Sequence, residues 1–332
     1  MNLKKTAFRN KSVLKYLSEK ESNGDNDYSE LQEFLFSLVA VFEFSATGEP
    51  LFSIVQDDWK LFSNNDVCKS ILDEIIQMAP TSFVKDGIKD SLTTVSYKSS
   101  ITDCVVVWEA LKEDIKKYHR FTTDLKKLET AGWDKLLDNQ YQLKPDTSFY
   151  RARIHYKKTD SFGIDDMGAP ERENSTSGRA NPEGIPFLYL SEEEKTTLYE
   201  TRVIKHDVVT VGEFKITGKD PLYVENLTDI DLDNIELLDE DVVTLAKRKL
   251  LVRALSQDMS RPMRRFDSRV EYVPTQFICE YLQLTQSVSG IRFPSSVYPK
   301  GTNVVIFNPN LMHCVSVKDY NIGDLDIKEN VL

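Results

Sequence analysis

The chain has 332 residues, with 42 Lys plus Arg against 53 Asp plus Glu for a net charge of −11, and 40% of its residues are apolar and 10% aromatic. That length favours two domains, and that apolar content excludes disorder along most of the chain. The negative charge repels a polyphosphate backbone, which disfavours a dedicated nucleic-acid binder.

The basic start, with Lys4, Lys5, Arg9, Lys11 and Lys15, is followed by no long apolar run or small-residue cleavage site, so no secretory leader is expected. The polar stretch Ser22 to Ser29 reads as a loop. The apolar block after it, Phe34 to Phe44, is interrupted by Ser37 and Glu43, so no membrane span is expected. Val67 to Ala79 and Val105 to Tyr118 carry apolar residues at spacings of three and four among many charges. Residues 1 to 145 are therefore expected to be mainly helical, and, carrying no catalytic motif, they are read as an accessory or regulatory domain. Cys68, Cys104, Cys279 and Cys314 stand singly, without zinc-site pairs or the density of a disulfide scaffold, and a reducing cytoplasm is the expected location.

After Leu143 the texture changes. Phe149 to Tyr156 (FYRARIHY) alternates apolar and basic residues, the pattern of a half-buried strand. Residues 157 to 186 are rich in Gly and Pro, and a loop of that length inside a compact domain is usually functional. Phe187 to Leu190 reads as a buried strand, and Ser191 with Glu194 as a capping box opening a helix through Glu200. Val203 to Ile216 and Leu222 to Leu227 alternate as strands. A helix follows with Val243, Ala246, Leu250, Leu251, Ala254 and Leu255 on one face. A helix over Thr275 to Leu284 and a strand over Asn303 to Phe307 complete the second half, and the tail from 317 to 332 is expected to lack structure.

The run from Gly178 to Arg202, GRANPEGIPFLYLSEEEKTTLYETR, carries the densest chemistry. Arg179, between a glycine and an Asn-Pro turn, suits bidentate phosphate recognition. Tyr189 offers a ring to a flat heterocycle, and Glu200 a carboxylate to a sugar-ring cation or a ribose hydroxyl. Each also has an ordinary reading: a solvated Arg, a core Tyr, a surface Glu. The acidic run Glu192 to Glu194 is explained by the helix start. The basic cluster Arg261, Arg264, Arg265 and Arg269 is better read as a solvated face or as partners of Asp258, Asp267 and Glu271 than as a phosphate site. His119, His155, His206 and His313 show no ligand spacing, so no metal is expected.

Five ordered blocks carry a resemblance: YRAR at Tyr150 to Arg153, DMGAP at Asp166 to Pro170, the Gly178 to Arg202 run, SRPMRRFDSRVEYVPTQFI at Ser260 to Ile278, and GIRFPSSVYPKGTNVVIFNP at Gly290 to Pro309. Over residues 148 to 316 the chain resembles the RES domain family, named for an Arg, a Glu and a Ser, whose members are bacterial enzymes that degrade NAD. The resemblance implies an α+β chain: a RES catalytic domain over 146 to 316, similar to the split β-sheet of ADP-ribosyltransferases, behind a helical extension of HEPN/RES type. The R-x4-6-H pattern of HEPN ribonucleases is missing, since His119 precedes Arg120, so nuclease activity is not expected.

Residue by residue, the resemblance assigns Arg179, Tyr189, Glu200 and Ser295 as catalytic, with Tyr150, Arg151, Arg153 and Ser296 at the substrate. Which early arginine meets the diphosphate stays open. The implied activity is glycohydrolase or phosphorylase cleavage of the nicotinamide–ribose bond, with NAD as substrate and no resident cofactor. The implied role is a toxin or antiphage defence effector, restrained by an antitoxin or regulatory protein, with a homo-oligomer open. ADP-ribosyl transfer to a protein and a catalytically inactive binding module remain as rivals. The accessory region is expected to be separable, so that a chain lacking residues 1 to 140 stays soluble with an altered rate.

Overall fold

The computed structural model describes residues 5–25, 27–79, 87–157, 162–230, 232–233, 237–262 and 269–323. Arg264, Arg265 and Asp267 of the basic cluster, and the tail beyond residue 323, lie outside them. Among the described residues no helix is long and apolar enough to cross a membrane, and no cluster of three metal-ligating side chains occurs. The fold is α+β, and the chain divides into two compact units, Met1–Val106 with Ile230–Leu251 and Val107–Asp229 with Val252–Leu332.

The first unit is mostly helical, with α1 (Lys11–Ser22), α2 (Ser29–Ala40), β1 (Phe42–Pro50), the short α3 (Leu51–Ile54), α4 (Asn65–Met78), β2 (Thr94–Tyr97) and the start of α5 (Ser99–Lys117). Asn10 and Asn64 cap α1 and α4, their side chains accepting the amides of Val13 and Val67. The antiparallel β1–β2 ribbon was not foreseen. Its first strand leaves directly from the apolar end of α2, so the strand period is hidden at the join. Phe34 packs edge-on against the fully buried Trp59 at 6.3 Å.

The second unit contains the rest of α5, two short helices, α6 (Lys126–Thr130) and α7 (Trp133–Leu136), and nearly all the strands: β3 (Gln140–Leu143), β4 (Phe149–Ile154), β5 (Leu188–Ser191), β6 (Val208–Ile216) and β7 (Leu222–Asn226). Between β5 and β6 lies α8 (Glu194–Glu200). After β7 come α9 (Val242–Ser260), whose residues up to Leu251 belong to the first unit, then α10 (Val273–Thr285), β8 (Gly290–Pro294), β9 (Thr302–Ile306) and β10 (Met312–Asn321). These strands form one mixed sheet in the order β10-β6-β4-β5-β9-β8-β7-β3, with β7–β8 the parallel pair.

This sheet is two ribbons joined at one point. β4 pairs with β5 through the single pair Tyr150 and Ser191, whereas β4 pairs with β6 over six residues and β5 with β9 over four. Past Tyr150 the ribbons part, and the Ala152 amide finds its acceptor in Thr197 Oγ1 of α8 at 3.0 Å. The split exposes strand-borne side chains at the middle of the sheet.

Several expectations change. Ser191 ends β5 and its hydroxyl goes to Asn303, so no Ser191–Glu194 capping box forms, and α8 starts without a side-chain cap. In α9 Val243 is exposed and Leu250 and Ala254 are half-buried, whereas Leu245, Val252 and Met259 are buried as Ala246, Leu251 and Leu255 are. β10 continues to Asn321, into the stretch expected to lack structure. The contact division also differs from the one expected at residue 145. Trp108 and Trp133 are fully buried with rings 6.0 Å apart, and Trp133 meets Tyr281 of α10 at 6.2 Å, all within the second unit.

Candidate active site

A cavity of about 370 Å³ opens where β4 and β5 part. Its walls include Arg151 and Ala152 of β4, Tyr189 to Ser191 of β5, Thr197 and Glu200 of α8, Met259 of α9, Phe293 of β8, Asn303 of β9, and the loop residues Arg179 and Ser296. Of the residues assigned from sequence, Arg151, Arg179, Tyr189, Glu200 and Ser296 line it together.

Glu200 is the last residue of α8, where the helix dipole disfavours a carboxylate. Two neighbours hold it instead: Ser295 Oγ donates to Oε1 at 2.7 Å, and Asn303 Nδ2 donates to the same oxygen at 2.5 Å. Among the described residues Oε2 accepts no hydrogen bond, which leaves it for the cavity. Ser295 is buried at the turn after β8 and also accepts the amides of Val297 (3.2 Å) and Tyr298 (3.0 Å). One residue from Glu200, Tyr199 stacks on Tyr298 with centroids 5.0 Å apart, so the turn and the helix are pinned together. Ser295 therefore acts on Glu200 from behind, while Ser296 is the serine at the cavity wall.

The arginines are held by backbone carbonyls. Arg151 Nη1 donates to Met167 O (3.2 Å) and Gly168 O (2.6 Å), and Arg153 Nη2 donates to Gly168 O (3.0 Å). The DMGAP block is thus the rest on which the β4 arginines lie. Burial, with Arg153 adding repulsion, pulls the Arg151 guanidinium down to about 10, still charged at neutral pH. Among the described residues neither arginine forms an ion pair, and two neighbouring half-buried cations without a carboxylate favour an anionic ligand. Arg151 reaches the cavity wall and Arg153 does not.

Arg179 caps the C-terminal end of α9, donating from Nη1 to Asp258 O (2.9 Å) and from Nη2 to Arg261 O (2.5 Å). It sits 5.5 Å from the Tyr272 ring centroid. Burial lowers its pKa, and Tyr272 and Glu200 offset part of that effect. Asp258, expected among the partners of the basic cluster, instead takes Trp108 Nε1 (2.7 Å) and Lys112 Nζ (2.8 Å) on its carboxylate. Arg261 meets Glu271 at 3.7 Å, as the ordinary reading of that cluster expects.

Two assignments change in character. The Tyr189 hydroxyl donates to Asn181 Oδ1 (2.7 Å) and accepts the Ala180 amide (2.9 Å), so it ties down the loop that carries Arg179. Burial raises its pKa, which keeps it a neutral phenol. Gly178 is required there, since a Cβ would fall 2.5 Å from Asn181 Oδ1 and 2.6 Å from the Tyr189 hydroxyl oxygen. Tyr150 is not at the cavity: it packs against Ala152, Val209, Val211 and Ile322. Sequence reasoning missed Asn303, Ser191 and Thr197, which carry no catalytic motif and are recognised by their contacts.

Residues 148–326 match the family model for the RES domain, and the chain belongs to the RES domain family. Among solved structures, a chain from the crystal structure of the M. tuberculosis MbcT-MbcA toxin-antitoxin complex is similar. It is 12% identical, with a TM-score of 0.32, and the match covers 56% of this chain and 90% of that one. That likeness is too remote to bear on function. No curated protein matches.

Proposed function

We propose that this chain cleaves NAD at its nicotinamide–ribose bond. The observation that carries the reading is Glu200: a carboxylate fixed through one oxygen, with its other oxygen left for a cavity that also presents Arg151 and Arg179. The cavity lies within the size range of small-ligand sites. In the reaction the C1′–N bond breaks with its electron pair passing to the pyridinium nitrogen, so nicotinamide departs neutral. The ribosyl centre left behind is an oxocarbenium-like cation, and Glu200 lowers its energy through fixed opposite charge. Arg151 and Arg179 hold the diphosphate, Tyr189 shapes the wall by ordering the Arg179 loop, and Met259 and Phe293 supply apolar surface for a ring. Water or phosphate then adds to C1′, the former losing a proton to solvent.

The role that follows is a toxin or defence effector that depletes NAD, with an antitoxin or regulatory protein as its restraint. The test is incubation of the purified full chain with NAD, with and without phosphate, followed by product identification. Nicotinamide with ADP-ribose supports hydrolysis, and nicotinamide with a phosphorylated ADP-ribose supports phosphorolysis. Label from NAD on protein, found by mass spectrometry of a treated lysate, would point to ADP-ribosyl transfer instead. Unchanged NAD in every arm would refute the proposal.

A further inference from the structure

Ser295 is not the only support of Glu200. β5 and β9 pair Ser191 with Asn303 in register, which puts their side chains side by side on one face of the sheet. Ser191 Oγ donates to Asn303 Oδ1 at 2.9 Å, and Asn303 Nδ2 donates to Glu200 Oε1 at 2.5 Å. Both are buried, Ser191 at 2% and Asn303 at 8% exposure. The opposite amide orientation would press Oδ1 against a carboxylate oxygen, acceptor to acceptor, whereas this one satisfies both ends. The pair thus forms a directed relay from the sheet interior to the carboxylate. An aspartate at 303 has the same shape but no hydrogen to give.

We propose that Asn303, oriented by Ser191, is a positioning residue for Glu200, holding Oε1 so that Oε2 faces the cavity where positive charge develops. This rests on the NAD-cleaving reading of the cavity. Arg179 is the cationic group whose field also reaches Glu200, and Asn303 differs from it in acting through a direct bond.

The experiment uses the full chain and its N303D and S191A variants. In N303D two carboxylates meet at one place and repel each other, which displaces Glu200 where both are ionised and raises the pH at which the second of them ionises, so nicotinamide release at neutral pH falls about 100-fold while the acid limb of the kcat profile moves up by about one pH unit or more. KM for NAD stays within about threefold, because the diphosphate contacts are untouched. S191A loosens the amide without adding charge, and kcat falls about 3- to 10-fold with no movement of the profile. A general packing defect would not move the acid limb in one variant alone. N303D with the rate and profile of the unaltered chain overturns the proposal. If the unaltered chain releases no nicotinamide, the NAD reading fails separately, and crystal structures of the full-length variants decide the positioning. A Glu200 carboxylate displaced from its place beside Ser295 in N303D supports it, and an unmoved one overturns it. Should N303D not fold, the same comparison on S191A decides, with a lengthened residue 303 to residue 200 contact expected.

Discussion

Replacing Ser295 by alanine removes three hydrogen bonds at one oxygen: the one given to Glu200 and the two received from the amides of Val297 and Tyr298. The bond to the carboxylate is charge-assisted and is worth about 1.5–3 kcal/mol. If Glu200 must stay in place to oppose the ribosyl cation, that loss appears in kcat as about 10- to 150-fold, at about 1.4 kcal/mol per tenfold. The two amides sit in a turn where water replaces part of what is lost, so the cost to stability is smaller, about 1 kcal/mol. Ser296 lines the cavity but makes no hydrogen bond among the described residues, so Ser296→Ala changes kcat by about twofold at most. The assay is initial-rate nicotinamide release by both variants across a range of NAD concentrations, with thermal melts alongside. Equal and small effects on kcat would refute the view that Ser295 acts through Glu200.

Gly178→Ala drives a methyl group into Asn181 and the Tyr189 hydroxyl, so the loop carrying Arg179 must shift. The expected result is a raised KM for NAD and a lower melting temperature, and unchanged KM would show that the loop does not position Arg179. A chain beginning at residue 141 lacks the ring pair Trp108 and Trp133 and exposes the Tyr281 ring that Trp133 meets. It is expected to be insoluble or to melt without a cooperative transition, and recovery of a folded protein with the full chain's kcat would show that segment to be dispensable.

The candidate site was legible where its logic is local. Gly178, Asn181 and Tyr189 fall within twelve residues and close one loop, and Arg179 and Glu200 lie on the same run, so the Gly178 to Arg202 block announced itself. Ser295 is 95 residues from Glu200 and was placed by family order rather than by any local pattern. Asn303 stayed hidden because an asparagine in a strand has no signature until its partners are known. Two of the missed strands share a cause. β10 and β3 are the two edges of the eight-stranded sheet, and edge strands carry polar residues such as Lys318, Asp319, Gln140 and Gln142 instead of clean alternation. The capping box at Ser191 failed for the reverse reason: the local motif was present, but burial beside Asn303 claimed the hydroxyl for another bond. The boundary at 145 was drawn from a change in texture, which cannot register that two tryptophans upstream pack within the second unit.

Whether Glu200 stabilises charge during loss of nicotinamide is tested most directly by Glu200→Gln, which preserves shape and removes charge. Nicotinamide release is measured for the full chain and for this variant, side by side, at saturating NAD, with circular dichroism establishing that both are folded. Nicotinamide release matching NAD loss is expected in the unaltered chain, and a kcat lower by about 100-fold or more in the variant. An equal rate in the two proteins, or a folded unaltered chain that releases no nicotinamide, would contradict that role of Glu200.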